Sequence, residues 1–311
     1  MMSLPVLVLA VLTLGHRGTG TNTPANPYAE NTLESFVHAL DVEGADGIEL
    51  DVQVALPNGN ADPYDELVIM HDESLARTTT CRSAAPLDDC VLLRTVDQIR
   101  DACLPVNGAD ETRPGQVVPT LREVLDAVVR ERGKRVNIEI KNQPPLDAGS
   151  QAELCSSLDP LAVSSLVTNL LLTEYSAAER ARVIFSSFNP AAVALAKHES
   201  PVVPLLFGGA PTSIDGGLLL LPFGELGSPV VPDPSLQALL AWALGLDAIH
   251  PSFEETTPAL VGSARSLGLA VRPYTVNERC EMRRLIDLGV EAIITDEPEL
   301  LRAEIASPSD C

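Results

Sequence analysis

Positive charge is what this chain most lacks. Of 311 residues, 21 are Lys or Arg and 43 are Asp or Glu, a formal net charge of −22. A field of that sign opposes binding to DNA, RNA or an anionic membrane face, and it repels anionic small molecules at long range. An anion site must therefore be built locally, from a few cations or a metal. Apolar runs long enough to span a bilayer are also missing. The most apolar stretch, VLVLAVLTLG at 6–15, has no basic residue before it and no clear small-residue cleavage site after it. It reads as a first buried strand, and an export signal would lie upstream of it or overlap it. Among the six cysteines there is no CxxC pair and no His/Cys spacing that suits zinc. Cys81, Cys90 and Cys103 fall in one loop-like region, while Cys155, Cys280 and Cys311 are scattered. The bland reading is buried thiols. The favoured one is a disulfide that ties down a long loop, with Cys81–Cys90 as the expected pair, which requires an oxidising, extracytoplasmic or secreted setting.

Apolar residues are plentiful. At 45% of the chain they exclude global disorder and allow a sizeable core. Strand-like runs alternate with helical patterns along almost the whole length. Residues 47–55, GIELDVQVA, place Ile48, Leu50, Val52 and Val54 on one face and Glu49, Asp51 and Gln53 on the other. Further strands are expected at 67–72, 135–141, 182–188, 202–208, 246–250, 269–275 and 290–295. Leu33, Phe36, Val37 and Leu40 mark an amphipathic helix, and Thr120 with Glu123 forms a capping box before another. Helical patterns recur near 94–102, 159–173, 189–198, 235–244, 257–267 and 278–288. Strand–helix alternation argues for a parallel sheet with helices outside, and a closed (β/α)8 TIM barrel fits the count. An open doubly wound sheet is the competitor, but no glycine-rich phosphate loop follows the first strand. The link at 56–66 is too short for a helical crossover, so a hairpin or extra strand there should absorb the ninth strand. The unit around 56–118 is thus irregular, with a loop-rich insertion at about 78–118 in an otherwise single barrel domain.

Polar residues sit on these strands in a repeated way. Strand one ends in His16 and Arg17, and strand three in His71 and Asp72. Asn137, Glu139 and Lys141 share one face of the fourth strand. In an α/β barrel that face looks into the lumen, and its last residues ring the carboxyl-terminal mouth. Glu49, Asp51 and Glu139 would then converge and raise one another's pKa values. A divalent cation removes the conflict, and hard oxygen ligands suit Ca²⁺ or Mg²⁺, with Mn²⁺ also admitted. His16 and His71 can exchange protons near neutral pH. Arg17 and Lys141 can hold phosphate oxygens. The set describes cleavage of a phosphate ester.

The blocks HRG, ENTLESF, GADGIELDV, HDESLARTT, NIEIK, YTVN and GVEAIITDEPELL occur in that order within residues 15 to about 301. In this the chain resembles the glycerophosphodiester phosphodiesterase family. The resemblance implies a phospholipase-C-like TIM barrel and metal-dependent hydrolysis of a small-molecule glycerophosphodiester to glycerol 3-phosphate and an alcohol. It places the catalytic pair on His16 and His71 and the metal carboxylates on Glu49, Asp51 and Glu139. The substrate contacts fall on Arg17, Lys141 and Tyr274, with Glu30 and Asn31 supporting from behind. Tyr274 stands where the family usually has Trp, and the loop between Arg17 and Glu30 is longer than usual. Two other readings keep the barrel: an enzyme directed at lysophospholipid or sphingomyelin, and a secreted binding protein without turnover. Outside the site, His38 and His198 read as structural. His250 does too, although it ends a strand and could reach the mouth. Asp296 reads as a helix cap, Trp242 as buried, and LLLLPFG at 218–224 as a packed loop.

Overall fold

The computed structural model describes residues 11–59, 63–82, 89–141, 155, 160–198, 214–219, 234–307 and 311. The expected strand at 202–208 and most of LLLLPFG lie outside them. Nine strands are described: β1 (Leu12–Gly15), β2 (Gly47–Val54), β3 (Leu67–Ile69), β4 (Arg135–Ile140), β5 (Val183–Ser187), β6 (Asp215–Leu219), β7 (Ala248–His250), β8 (Ala270–Val271) and β9 (Ala292–Thr295). Eight pair in parallel in the order β8-β7-β6-β5-β4-β2-β1-β9, and β3 runs antiparallel beside β2, off that path. Backbone hydrogen bonds from Glu291 to Val271 and from Ile294 to Pro273, both 3.0 Å, carry the ring from β9 back to β8. The result is a nearly closed eight-stranded parallel barrel with helices outside. The ninth strand is the hairpin partner expected from the short link.

Register decides which side chains enter the lumen. Asp51 pairs with Glu139, Glu139 with Ser186, Ser186 with Gly217 and Gly217 with Ala248, so these residues share one face. The opposite face carries Ile48, Leu50, Val52, Val136, Ile138, Ile140, Val183 and Phe185, all buried against the helices. A smaller apolar cluster of Leu14, Ile184, Ala292 and Ile294 fills part of the lumen. Arg272, only 3% exposed, is bound there by Asp215 and Glu291. Threonines fix the entry of the first helices. Thr32 accepts from Ser35 N ahead of the helix Leu33–Asp41, and Thr120 makes the expected box with Glu123 ahead of Leu121–Leu125. That short helix continues as a π turn over Asp126–Arg130.

Two expectations are corrected. Trp242 is 53% exposed on the helix Pro234–Ala243, together with Leu236, Leu239 and Leu240. Apolar residues surround that helix almost completely, so its pattern carries no signal for the buried face. The cysteines pair as Cys81–Cys103, Cys90–Cys155 and Cys280–Cys311. The chain after His71 explains the first two. Thr79 bridges to Pro105, which brings Cys81 beside Cys103. Ser74 bridges to Cys90, which holds Cys90 away from Cys81.

The acid excess has a local cost beside the first helix. Burial and then the charges of Glu299 and Glu297 push Glu43 up to about 7, and the His38 imidazole lies 3.6 Å from it. A carboxyl whose folded pKa exceeds its unfolded value near 4.3 favours the fold while protonated, and that contribution fades as pH rises through the folded value. Glu43→Gln should therefore raise the urea midpoint most above pH 8, less at pH 5, and leave it almost unchanged below pH 4; a gain confined to pH 5 and below would contradict the assignment. Non-reducing peptide mapping should recover Cys81 linked to Cys103. Removing that link by double serine substitution should cost about 3 kcal/mol through loop closure. A Cys81–Cys90 peptide would refute the pairing.

Candidate active site

The barrel mouth begins at the turn after β1. Arg17 adopts φ +51° and Gly18 φ +96°. A side chain at Gly18 would meet Ser35 Oγ at 2.3 Å, so only glycine lets the turn close on the first helix. Ser35 Oγ donates to Arg17 O at 3.1 Å and accepts from Thr19 N at 2.9 Å. The left-handed conformation of Arg17 costs about 1 kcal/mol. It aims the Arg17 N–H at Glu49 Oε2, 3.1 Å away. Asn31, also left-handed at φ +58°, donates its own N–H to Arg17 O at 3.0 Å.

β2 and β4 supply the acids. One carboxylate oxygen from each of Glu49, Asp51 and Glu139 lies within 4.8 Å of the others. Asp51 accepts from Asn31 Nδ2 at 2.8 Å and is paired with Lys141 Nζ at 2.9 Å and Arg17 Nε at 3.4 Å. Lys141 also reaches Glu139 at 2.7 Å. Burial alone would raise Asp51, but Lys141, His71, Arg17 and the Asn31 hydrogen bond outweigh it and hold the carboxyl far below its usual range. Glu49 goes the other way. Burial, then Asp51 and Glu139, push it well above the ordinary carboxylate value, and its Oε1 has no hydrogen-bond partner among the described residues. An unpaired, fully buried carboxylate oxygen facing two other acids is the feature a hard cation would satisfy.

Each imidazole has its own carboxylate. His16 Nδ1 lies 2.7 Å from Asp296 Oδ1, and His71 Nδ1 lies 2.6 Å from Asp72 Oδ1. A carboxylate on Nδ1 keeps the proton there and leaves Nε2 as the exchanging atom. His16 Nε2 stands 4.0 Å from Glu49 Oε2, within the acid cluster. Asp296 also accepts from Thr21 N and from Asn277 Nδ2, at 3.1 and 2.8 Å. Burial would raise it, but the His16 hydrogen bond and charge lead the contributions that lower it. Asp296 thus serves His16 instead of capping a helix, which corrects the expectation for it. His71 follows β3 and is held through its main chain: Met70 N donates to Asp51 O and Gln53 Nε2 donates to His71 O.

Glu30 and Asn31 support the mouth from the β1–helix loop. The Glu30 side chain is 1% exposed and accepts from Arg17 Nη1 at 2.8 Å. Tyr274 packs edge-on against Phe188, ring centres 6.3 Å apart. His250 does not reach the mouth. It is fully buried in the lumen over Gly217, where a Cβ would lie 2.2 Å from its Nε2. Burial, then Arg272, keep it neutral by pushing its pKa well below the usual value. The sequence assigned no role to Asp72, Arg77 or Asn277, and read Asp296 only as a helix cap. Asp296 was recoverable: Ala292, Ile294 and Asp296 repeat the alternation that revealed Glu49 and Asp51. Arg77 lies in no periodic element and carries no such signal.

The residues brought together can hold one hard cation, present two carboxylate-oriented imidazoles to it, and place two basic side chains beside it. Comparison with known proteins gives the family. Residues 16–300 match the model of the glycerophosphoryl diester phosphodiesterase family. A glycerophosphodiester phosphodiesterase of Caldanaerobacter subterraneus is 30% identical over 94% of this chain and 97% of its own. One from Bacillus subtilis is 29% identical over 93% and 85%. Among solved structures, a putative glycerophosphoryl diester phosphodiesterase from Silicibacter pomeroyi shares the fold with a TM-score of 0.70 at 24% identity, over 96% of this chain and 93% of that one. An Oleispira antarctica phosphodiesterase in complex with the product sn-glycerol-3-phosphate does so with a TM-score of 0.65 at 20% identity, over 95% and 97%. With a match that runs from His16 into the first turn of the helix after Asp296, the chain belongs to the glycerophosphoryl diester phosphodiesterase family and is a phosphoric diester hydrolase.

Proposed function

We propose that the chain hydrolyses glycerophosphodiesters to glycerol 3-phosphate and an alcohol, with His16 and His71 as its acid–base pair and Glu49, Asp51 and Glu139 as the ligands of one divalent cation. The observation that carries this reading is the convergence of three carboxylates, two buried and one half-buried, beside an imidazole whose far nitrogen is already held by a carboxylate. The donor set fits such an ion. It is all oxygen, it contains an orphaned buried atom on Glu49, and it lacks sulfur. Bound there, Ca²⁺, Mg²⁺ or Mn²⁺ would offset the negative charge of the phosphodiester.

The protein's own groups then divide the proton work. One histidine takes the proton of the attacking oxygen, which belongs to water or to the neighbouring glycerol hydroxyl; in the second case a cyclic phosphate forms first, and water then opens it to glycerol 3-phosphate. The other gives a proton to the departing alcohol oxygen as its bond to phosphorus breaks. Asp296 and Asp72 keep the exchange on Nε2 in both rings. Arg17 and Lys141 supply positive charge for the phosphate oxygens, within a chain whose overall field repels them. Tyr274 would meet the glycerol end. The product bound in the Oleispira structure and the names of the bacterial relatives support this substrate class over the lysophospholipid or sphingomyelin alternative.

Purified protein should release glycerol 3-phosphate from glycerophosphocholine, and a chelator should abolish that release until Ca²⁺, Mg²⁺ or Mn²⁺ is restored. Loss of a cation that supplies several kcal/mol predicts at least a ~1,000-fold fall in kcat/KM for the Glu49→Gln, Asp51→Asn variant. Activity within tenfold of the parent in that variant would remove the metal assignment.

A further inference from the structure

His71 stands apart from the rest of the site in how it is placed. His16, Glu49, Asp51, Glu139, Lys141 and Asp296 lie on barrel strands or within two residues of their ends, so ring register positions them. His71 follows β3, the strand outside the ring. Its main chain is tethered to β2, but its side chain is 32% exposed and its Asp72 partner 25% exposed. Asp72 is simply the next residue of the same loop. It can hold the imidazole steady only if something holds Asp72.

Arg77 does so. Its Nε donates to Asp72 Oδ2 at 2.6 Å and its Nη2 to Asp72 Oδ1 at 2.9 Å, a two-pronged grip on the carboxylate. The other edge of the same guanidinium grips Glu30, from Nη1 to Oε2 at 2.9 Å and from Nη2 to Oε1 at 2.7 Å. Glu30 is buried and is itself bound by Arg17 and by Asn22 N. Burial would raise the Glu30 carboxyl, yet Arg77 and Arg17 together hold it low, and it stays ionised in this network. The main chain just past Arg77 is anchored in turn by the Thr79–Pro105 bridge and the Cys81–Cys103 disulfide.

We propose that Arg77 is a positioning residue that locks the His71–Asp72 pair to Glu30 and so to Arg17, keeping an acid–base group carried on an excursion in fixed relation to the barrel mouth. This rests on the hydrolase reading given above. Four hydrogen bonds to two carboxylates occupy both edges of the guanidinium, so Arg77 acts through its neighbours and not on substrate. Lysine cannot replace it, because one ammonium nitrogen cannot grip two carboxylates in parallel pairs.

The test compares Arg77→Lys, Arg77→Gly, Asp72→Asn and the Arg77→Lys, Asp72→Asn double variant with the parent on glycerophosphocholine. A loosened acid–base group predicts a fall in kcat of about 10- to 100-fold for Arg77→Lys with KM changed much less. The Asp72→Asn loss should not add to it, since both substitutions cut one linkage. Added guanidinium at non-denaturing concentration should restore Arg77→Gly at least partly, and methylammonium should not. Proton NMR gives a readout independent of turnover: the low-field Nδ1–H signal of His71, identified by its loss in His71→Asn, should be present in the parent and broadened or lost in Arg77→Lys. An unaltered signal together with kcat within twofold of the parent in Arg77→Lys would overturn the proposal. Additive losses for Arg77 and Asp72 would also overturn it. A parent protein without turnover would instead count against the hydrolase reading, while the NMR comparison would still decide the Arg77 linkage.

Discussion

Three carboxylates share a space less than 5 Å across in the lumen of this barrel, two of them almost fully buried. Like charges so close, out of water, cannot all be ionised without countercharge. The surrounding structure is organised by that constraint. Arg17 accepts an unfavourable backbone conformation and thereby directs its N–H to Glu49 and its side chain to Asp51 and Glu30. Lys141 spans Asp51 and Glu139. Asn31 is twisted into the left-handed region and donates to Asp51. Even so, one oxygen of Glu49 remains unpaired and its carboxyl is pushed up. The protein's own cations leave the cluster short of balance, which is the physical basis for assigning a divalent ion to it.

The same crowding shapes the two imidazoles. An imidazole beside three acids would drift between tautomers and orientations unless its far nitrogen were fixed. Asp296 fixes His16 from β9, the strand next to β1, and Asp72 fixes His71 from within its own loop. One anchor is inherited from the barrel. The other depends on Arg77, Glu30 and a disulfide-pinned excursion. A chain with a net charge of −22 thus gathers Arg17 and Lys141 beside the acid cluster. Local placement of cations, against the overall field, is what the proposed phosphate site requires.

Much of this was legible in the residues because a strand has a period of two. Alternation in GIELDVQVA and RVNIEIK separated a helix-facing side from a polar lumen side, and register then put Glu49, Asp51 and Glu139 together. The short link at 56–66 announced the extra antiparallel strand. Apart from Asp296, whose alternation with Ala292 and Ile294 was there to read, what escaped had no periodic signature. β6 begins Asp215-Gly-Gly, poor strand residues whose pairing is imposed by neighbours on both sides. Trp242 sits on a helix with apolar residues nearly all round. Cys81 pairs with Cys103 because of a bridge between distant loop segments, which spacing does not encode. Asp296 looked like a cap because ITDEP is a common helix entry, and only the closed ring brings it to His16. Arg77 reaches its partners across 5 and 47 positions of sequence, a contact made by the fold alone.

The central claim is that the acid cluster is a cation site. The most direct measurement is anomalous scattering at the manganese edge from crystals soaked in Mn²⁺. The account predicts a single peak bridging Glu49, Asp51 and Glu139, absent from crystals of the Glu49→Gln, Asp51→Asn variant. No peak among these carboxylates at saturating Mn²⁺, or a peak that persists in the variant, would contradict it.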